Sequence, residues 1–161
     1  MNSIKAILDK SDYEFYGNFL NFQVDGYWLD EKLEELYPGN MYKGVIPTLS
    51  VHINTEDERK IVWERILPDR GQTINCPILM CPDDCDFSCT LLIAEIENTG
   101  PTVKWNRVGI DKTKEFEFEK VATTVEWFDK IQSFEFDAGE YQQMLNKFKK
   151  KFDLSKLKES I

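Results

Sequence analysis

Two runs rich in aliphatic and β-branched side chains dominate the middle of the chain, and a short turn signal separates them. The first run is FSCTLLIAEIE at 87–97, the second is TVKWNRV at 102–108, and NTGP at 98–101 stands between them. A short segment with glycine and proline between two such runs is typical of a β-hairpin. The sequence therefore predicts two antiparallel strands around which the rest of the fold has to be built.

Five more segments have a composition, or an alternation of apolar and polar residues, that is typical of β-strands. They are residues 13–24, 48–53, 73–80, 115–119 and 125–128. The alternation is strict in EFEFE at 115–119, so its three glutamates would form one negative row along a strand face.

Three segments carry apolar residues at helical spacing or a helix start signal. They are residues 29–37, 56–66 and 137–152. Capping boxes start the second and third segments, with Thr55 followed by Glu58 and Asp137 followed by Glu140. The β-branched and aromatic content of the second segment leaves a strand open there.

Strands and helices in this order predict an α+β fold. We expect an antiparallel β-sheet with a few helices packed on it, including a C-terminal amphipathic helix. A chain of 161 residues has the length of one ordinary domain, so we expect a single domain over residues 1–161.

The charge of the chain is large, negative and uneven. The net charge is −9, but the last 15 residues carry six lysines against two acids. The other 146 residues therefore have a net charge of −13. Phosphate binding needs cationic groups, so we expect no nucleic-acid partner. An acidic body attracts a basic protein and accelerates its approach, although acidity also serves solubility.

The first residues predict neither export nor a membrane anchor. MNSIKAILDKSDYEF at 1–15 has no apolar segment typical of a secretory signal. No run in the chain approaches the roughly 18 apolar residues of a membrane span. Cysteines in a chain without an export signal are expected to stay reduced. We therefore expect a cytoplasmic protein with no membrane partner.

All four cysteines stand in CPILMCPDDCDFSC at 76–89. Their spacing fits poorly the separated close pairs of structural zinc sites, and the neighbouring aspartates oppose the thiolates that a metal or redox site needs. Free cysteine also behaves as a small buried hydrophobe, and in a strand Cys89 would share an apolar face with Phe87 and Leu91. We predict a hairpin with buried thiols, no metal and no cofactor, and keep a cysteine-based metal-binding regulatory module as the alternative hypothesis.

Acidic residues are the best candidates for a binding surface. One group lies in the turn of the cysteine segment and the other in the EFEFE segment. The candidates are Asp83, Asp84, Asp86, Glu115, Glu117 and Glu119. Carboxylates arrayed in this way can pair with lysines and arginines of a partner, or form a solvated face.

Nothing in the sequence singles out a catalytic site. No phosphate-binding loop, zinc-protease motif or nucleophile elbow occurs, and no pair of carboxylates stands out by its spacing. The single histidine, His52, lies in the predicted strand at 48–53. It fits either a general base or a packed or surface residue, and we favour the latter because no nucleophile accompanies it. We predict that the chain is not an enzyme.

Four segments carry a resemblance to a known family. They are VWERILP at 62–68, CPILMCPDDCDFSCT at 76–90, VKWNRVGID at 103–111 and VEWFD at 125–129. This part of the chain resembles small bacterial immunity proteins that accompany polymorphic and contact-dependent toxins, including the neisserial Maf systems. The resemblance implies a protein that binds the C-terminal domain of a cognate toxin in the cytoplasm and neutralises it without catalysis. We expect the chain to be a monomer or a weak dimer. It assigns no toxin-binding residue, so the acidic candidates remain a separate prediction.

Overall fold

The architecture is α+β, as the sequence predicts. The computed structural model describes residues 1–10, 18–115 and 117–159. In chain order its elements are β1 (Ile4–Lys10), β2 (Asn18–Val24), β3 (Tyr27–Trp28), α1 (Leu29–Leu36), β4 (Ile46–Pro47), α2 (Glu56–Arg65), β5 (Thr73–Met80), β6 (Leu91–Asn98), β7 (Thr102–Asp111), a 3₁₀ helix (Phe118–Lys120), β8 (Val125–Trp127), β9 (Phe134–Asp137) and α3 (Ala138–Glu159).

The strands form two antiparallel sheets. The smaller has the order β1-β2-β3, and the larger has the order β4-β5-β6-β7-β8 with β9 also paired to β7. β7 is ten residues long and pairs with β6 along one edge. Its other edge is divided, with Thr102–Trp105 paired to β9 and Gly109–Asp111 paired to β8. A Cβ at Gly109 would collide with the backbone oxygen of Glu126, so this close pairing depends on glycine.

The predicted hairpin is confirmed, and its two strands are β6 and β7. The turn between them is closed by Thr99, whose N–H donates to the carbonyl of Thr102 at 2.9 Å. Gly100 has a φ of 99°, a conformation that favours glycine. The predicted strand at 73–80 and the three predicted helices are also confirmed, and the last helix extends further, to residue 159. The prediction at 13–24 is confirmed over 18–24 by β2, and residues 13–17 lie outside the described residues.

The strand predicted at 48–53 is wrong. β4 ends at Pro47, and residues 48–53 form turns, in one of which the N–H of Ser50 donates to the carbonyl of Pro47. The backbone N–H and the hydroxyl of Thr48 bind carbonyls of β5, which draws the turns onto the large sheet. Apolar residues of this segment are therefore buried through turns and not through a strand.

The predicted strand at 87–97 begins four residues later than expected, at Leu91. The residues before it form turns that bind the start of α2, where the N–H of Asn54 donates to the carbonyl of Cys85 at 2.8 Å. Cys89 consequently lies in a loop and is exposed, so its predicted place in a buried apolar row is wrong.

The strand predicted at 115–119 is also wrong. Glu115 and Glu117 lie in irregular backbone, and the 3₁₀ helix follows from Phe118. Phe116 lies outside the described residues. The three glutamates therefore do not form a row along a strand face, because the segment is held by bonds to α2 and β5 and not by a strand ladder.

The core is one continuous cluster that takes residues from both sheets and from each of the three helices. At its centre Trp105 is fully buried, and its ring meets four others edge to face. The ring centroids lie 5.7 Å away for Phe22, 6.3 Å for Phe134, 5.3 Å for Phe136 and 6.5 Å for Tyr141. Such pairs stabilise by about 0.5–1.5 kcal/mol each beyond their buried area.

Two hydrogen bonds of Tyr141 connect this centre to a distant element. Its hydroxyl donates to the carbonyl of Ile66 at 2.7 Å and accepts from the indole N–H of Trp105 at 3.2 Å. The hydroxyl is buried, and burial raises the pKa of Tyr141 well above its ordinary range. Asp137 caps the start of α3 by accepting from the N–H of Glu140 at 3.0 Å, but the carboxylate of Glu140 accepts from the N–H of Ile4 and does not complete the predicted capping box.

Replacing Tyr141 with phenylalanine tests the importance of this hydroxyl. The change leaves the Ile66 carbonyl and the Trp105 N–H buried without a partner, so we expect the free energy of unfolding to fall by about 2 kcal/mol. Denaturant unfolding followed by tryptophan fluorescence measures it. Tyr27→Phe is the control, because that ring is only half-buried, and it should change stability by less than about 0.5 kcal/mol. Equal losses would contradict the assigned role.

Candidate functional site

A cleft of about 460 Å³ opens between the start of α2, the loop at 86–88 and the segment at 111–121. Its apolar lining includes Phe87 and Phe118, whose rings meet edge to face with centroids 6.2 Å apart, and the buried Val121. Phe118 is 37% exposed, which is high for a large apolar side chain. The cleft therefore presents an aromatic surface to solvent.

One buried glutamate organises the α2 side of the cleft. Glu58 is 1% exposed, and its carboxylate accepts from the hydroxyl of Thr55 at 2.7 Å and from the N–H of Phe87 at 2.8 Å. Thr55 in turn caps the helix by accepting from the N–H of Glu58 at 3.2 Å. Thr55 therefore caps the helix as predicted, but the Glu58 carboxylate binds the hydroxyl of Thr55, and its other oxygen fixes Phe87 beside the helix.

The opposite side of the cleft is held by Arg65, at the end of α2. Its guanidinium donates to the carbonyls of Glu119 and Val121, each at 3.0 Å, and to that of Asn75 at 3.3 Å. The side-chain amide of Asn75 then donates to the carbonyl of Ala122 at 3.0 Å. These bonds fasten an irregular segment to a helix and a strand, so the position of Phe118 is defined by tertiary contacts.

Carboxylates surround the cleft. Among the described residues, its lining includes five acids and one lysine, namely Glu58, Asp86, Asp111, Glu115, Glu117 and Lys114. Asp86 accepts from the N–H and hydroxyl of Ser88 at 2.9 and 2.6 Å, and Asp111 accepts from the same groups of Thr113 at 3.1 and 2.6 Å. These turns orient the two carboxylates, which form no ion pair with the described residues, so the described lining has a net negative charge.

The structure gathers half of the acidic residues that the sequence singled out. Those that line the cleft are Asp86, Glu115 and Glu117. Those that are exposed outside its lining are Asp83, Asp84 and Glu119.

Phe118, Asp111 and Lys114 are among the lining residues that were not predicted as part of a site. An aromatic residue between acids in a segment without stable strand pairing is the signal that points to Phe118, whereas no local signal points to the other two. The strict alternation of EFEFE hid that signal, because it placed the phenylalanines on a buried strand face.

The four cysteines separate into two pairs. Cys76 and Cys85 are buried, as predicted for small apolar residues, and burial raises the pKa of Cys76 well above its ordinary range. Cys81 is partly exposed and Cys89 is exposed, so the prediction of buried thiols is wrong for the second pair. Burial, helped by Cys89 and Asp83, raises the pKa of Cys81 to about 11. A thiol with this pKa is protonated at neutral pH and is a poor nucleophile.

His52 lies in the turns at 48–53, beside a cavity of about 20 Å³. The described lining of this cavity includes Lys151 and apolar side chains but no carboxylate. Burial lowers the pKa of His52, and the charge of Lys151 lowers it further.

Comparison with protein-family models, with curated proteins and with solved structures finds no match to this chain. Within the described ranges, no helix is both long and apolar enough to cross a membrane. We therefore infer function from the geometry of the chain's own residues.

Substituting glutamine for Glu58 tests how the cleft is anchored. Hydrogen bonds to a charged group are worth about 1.5–3 kcal/mol, so we expect Glu58→Gln to lower the free energy of unfolding by a similar amount. Glu64→Gln is the control on the same helix, because Glu64 is exposed and lies 3.9 Å from Lys60. Chemical denaturation compares the two, and a loss no larger than that of the control would contradict an anchoring role.

Because the pKa of His52 is lowered in the folded chain, we expect the stability of the chain to depend on pH. Its pKa in the folded chain is below the ordinary value of 6.5, so the unfolded chain binds the proton first as the pH falls. Stability therefore decreases as the pH falls from about 7 through the ordinary pKa towards the folded one. The His52→Gln variant should lose less stability between about pH 7.5 and pH 5.5 than the unmodified chain does.

Unfolding free energies at several pH values measure the difference. The chain has one histidine, so the comparison isolates this side chain. Parallel curves for the two proteins would contradict the assigned shift.

Proposed function

We propose that this protein is an immunity protein that binds the C-terminal domain of a cognate bacterial toxin in the cytoplasm and neutralises it by occlusion. The acidic cleft is the observation that carries this proposal, because it combines an exposed aromatic ring with four carboxylates near the surface and a single lysine. The resemblance of four sequence segments to immunity proteins is a second argument for the proposal, taken from the sequence and not from the cleft.

The cleft suits a lysine or arginine of the partner. The methylene stem of such a side chain can pack on the rings of Phe87 and Phe118 while its charged end reaches Asp86, Glu115 or Glu117. Arginine fits best, because its planar guanidinium stacks on aromatic rings and binds carboxylates through two donors.

The chain contains an internal example of this chemistry. The guanidinium of Arg107 lies over the ring of Trp127, 4.2 Å from its centroid, and pairs with Glu95 at 2.9 Å. An arginine from a partner would find the same two kinds of contact in the cleft, with more carboxylates available.

Occlusion by an acidic surface is most direct when the toxin is a nuclease. The cationic groups that bind nucleic-acid phosphates would meet carboxylates instead, and the substrate would be excluded. A net charge of −9 also accelerates the approach of a basic partner. Neutralisation of this kind involves no reaction and requires no cofactor.

Co-expression tests the proposed function. The C-terminal domain encoded by the neighbouring open reading frame would be produced with and without this protein, and growth and co-purification would be scored. We expect the domain alone to stop growth, and the pair to grow and to yield a stable complex. Toxicity without rescue, together with no complex, would overturn the proposal.

A charge reversal tests whether the cleft is the binding surface. We expect Glu115→Lys to slow association with the toxin domain by about tenfold or more, with a weaker salt dependence. Glu119→Lys is the matched control, because it makes the same change in net charge in the same segment but outside the cleft lining. Association rates measured at several salt concentrations separate the two. Equal slowing would show that only net charge matters and would contradict the assignment.

A further inference from the structure

We infer that Cys81, Asp84 and Cys89 form a binding site for a thiophilic divalent cation, with Zn²⁺ as the natural candidate. One ligand atom from each residue, two Sγ atoms and a carboxylate oxygen, lies within 4.8 Å of the other two. Zn²⁺ binds sulfur at about 2.3 Å and oxygen at about 2.0–2.2 Å, which separates tetrahedral ligands by about 3.3–3.8 Å. The 4.8 Å limit on the distances between the three atoms is about 1 Å longer than that spacing, so binding requires the side chains to move closer together. The site is distinct from the cleft and does not depend on toxin binding.

Strand pairing explains why two cysteines eight positions apart meet. Met80 at the end of β5 pairs with Leu91 at the start of β6, so the residues just beyond each strand are neighbours. The intervening loop turns back at Cys85, which has a φ of 53° and whose N–H donates to the carbonyl of Cys81 at 2.9 Å. The ligand positions are therefore supported by a rigid sheet.

A fourth ligand atom, the carboxylate oxygen of Asp83, lies within reach. Oδ2 of Asp83 is 3.7 Å from Sγ of Cys81, so this carboxylate is placed either to complete the coordination or to orient the ligand. Two thiolates with carboxylate oxygen favour Zn²⁺ over Mg²⁺ or Ca²⁺, which prefer sites made only of oxygen.

A buried carboxyl group lies in the cavity that the two cysteines line. Asp30 lines the same cavity as Cys81 and Cys89, which has a volume of about 590 Å³. Asp30 is only 6% exposed, and one of its oxygens accepts from the N–H of Gly44 at 2.9 Å. Within the described part of the chain its other oxygen, Oδ1, is buried without a hydrogen bond. Burial raises the pKa of Asp30, and a cation in the cavity would favour the charged form of this carboxyl group.

The charge of the cavity favours a cation as well. Its described lining includes four acidic residues and one basic residue, namely Asp9, Asp30, Glu31, Asp83 and Lys43. Binding converts both thiols to thiolates and releases their two protons to solvent, while the ion supplies the compensating positive charge. The acidic surroundings attract the ion whose binding displaces those protons.

Metal titration of the full chain tests this inference. The protein would be purified with a reductant, stripped with a chelator and titrated with Co²⁺ alone. We expect one Co²⁺ per chain, with the near-ultraviolet charge-transfer absorption of a thiolate-bound ion. Zn²⁺ should remove that absorption in equimolar amounts, and a large excess of Mg²⁺ should not.

Variants locate the site. Loss of a residue that only supports a metal ligand lowers the affinity for the metal about 10–100-fold. Cys81 and Cys89 are proposed as direct ligands, so Cys81→Ser and Cys89→Ser should lower the affinity by more than that and reduce the thiolate absorption. Asp84→Asn should weaken binding while leaving the absorption of two thiolates. Cys76→Ala is the matched control, because it removes a cysteine that is fully buried away from the site. Asp84 and Cys89 are exposed, so their variants should fold, and thermal unfolding checks this.

Three outcomes would overturn the inference. The first is Co²⁺ binding that does not involve the two cysteines. It would show as binding without thiolate absorption, or as binding that is no weaker in the cysteine variants than in Cys76→Ala. The second is no binding by the reduced chain. The third is a purified chain in which Cys81 and Cys89 form a disulfide that persists under reductant, since both sulfurs would then be unavailable to an ion.

Discussion

Burial of Trp105 is the constraint on which the rest of the structure depends. Its ring lies on the central strand of the large sheet and meets Phe22 of the small sheet, so one side chain joins the two sheets. Through Tyr141 it also binds the end of α2, because that hydroxyl bridges the indole N–H and the carbonyl of Ile66. The sheets and helices around this centre form a scaffold rigid enough to support irregular loops at the strand ends.

The candidate cleft and the proposed cation site share one of these loops. Asp86 and Phe87 face the cleft, whereas Cys81 and Cys89 line the second cavity at the ends of β5 and β6. Glu58 holds the middle of the loop to α2 through the N–H of Phe87. An ion bound by the two cysteines would cross-link the ends of the loop that carries part of the cleft.

The acidic residues around the cleft have three different roles, and the number of acids in the chain does not show which residue has which role. Glu58 is buried and acts through hydrogen bonds, while Asp86 and Asp111 bind the turns that follow them. Glu115 and Glu117 are exposed beside an aromatic surface. The carboxylates of the last two groups are accessible to a partner, whereas the carboxylate of Glu58 is buried and is not.

The sequence by itself determined the α+β class, the central hairpin, the three helices and the N-caps of two of them, because turn residues, periodicity and caps act over a few positions. Only the tertiary structure decided that residues 48–53 are turns, that the EFEFE segment is held by Arg65, and that Cys81 meets Cys89. An alternation of apolar and polar residues indicates that side chains are buried, but it does not show whether a strand or a turn buries them. The contacts that gather Asp86 with Glu115 and Glu117 join residues about thirty positions apart, so they follow from strand pairing and long-range hydrogen bonds that no local pattern encodes.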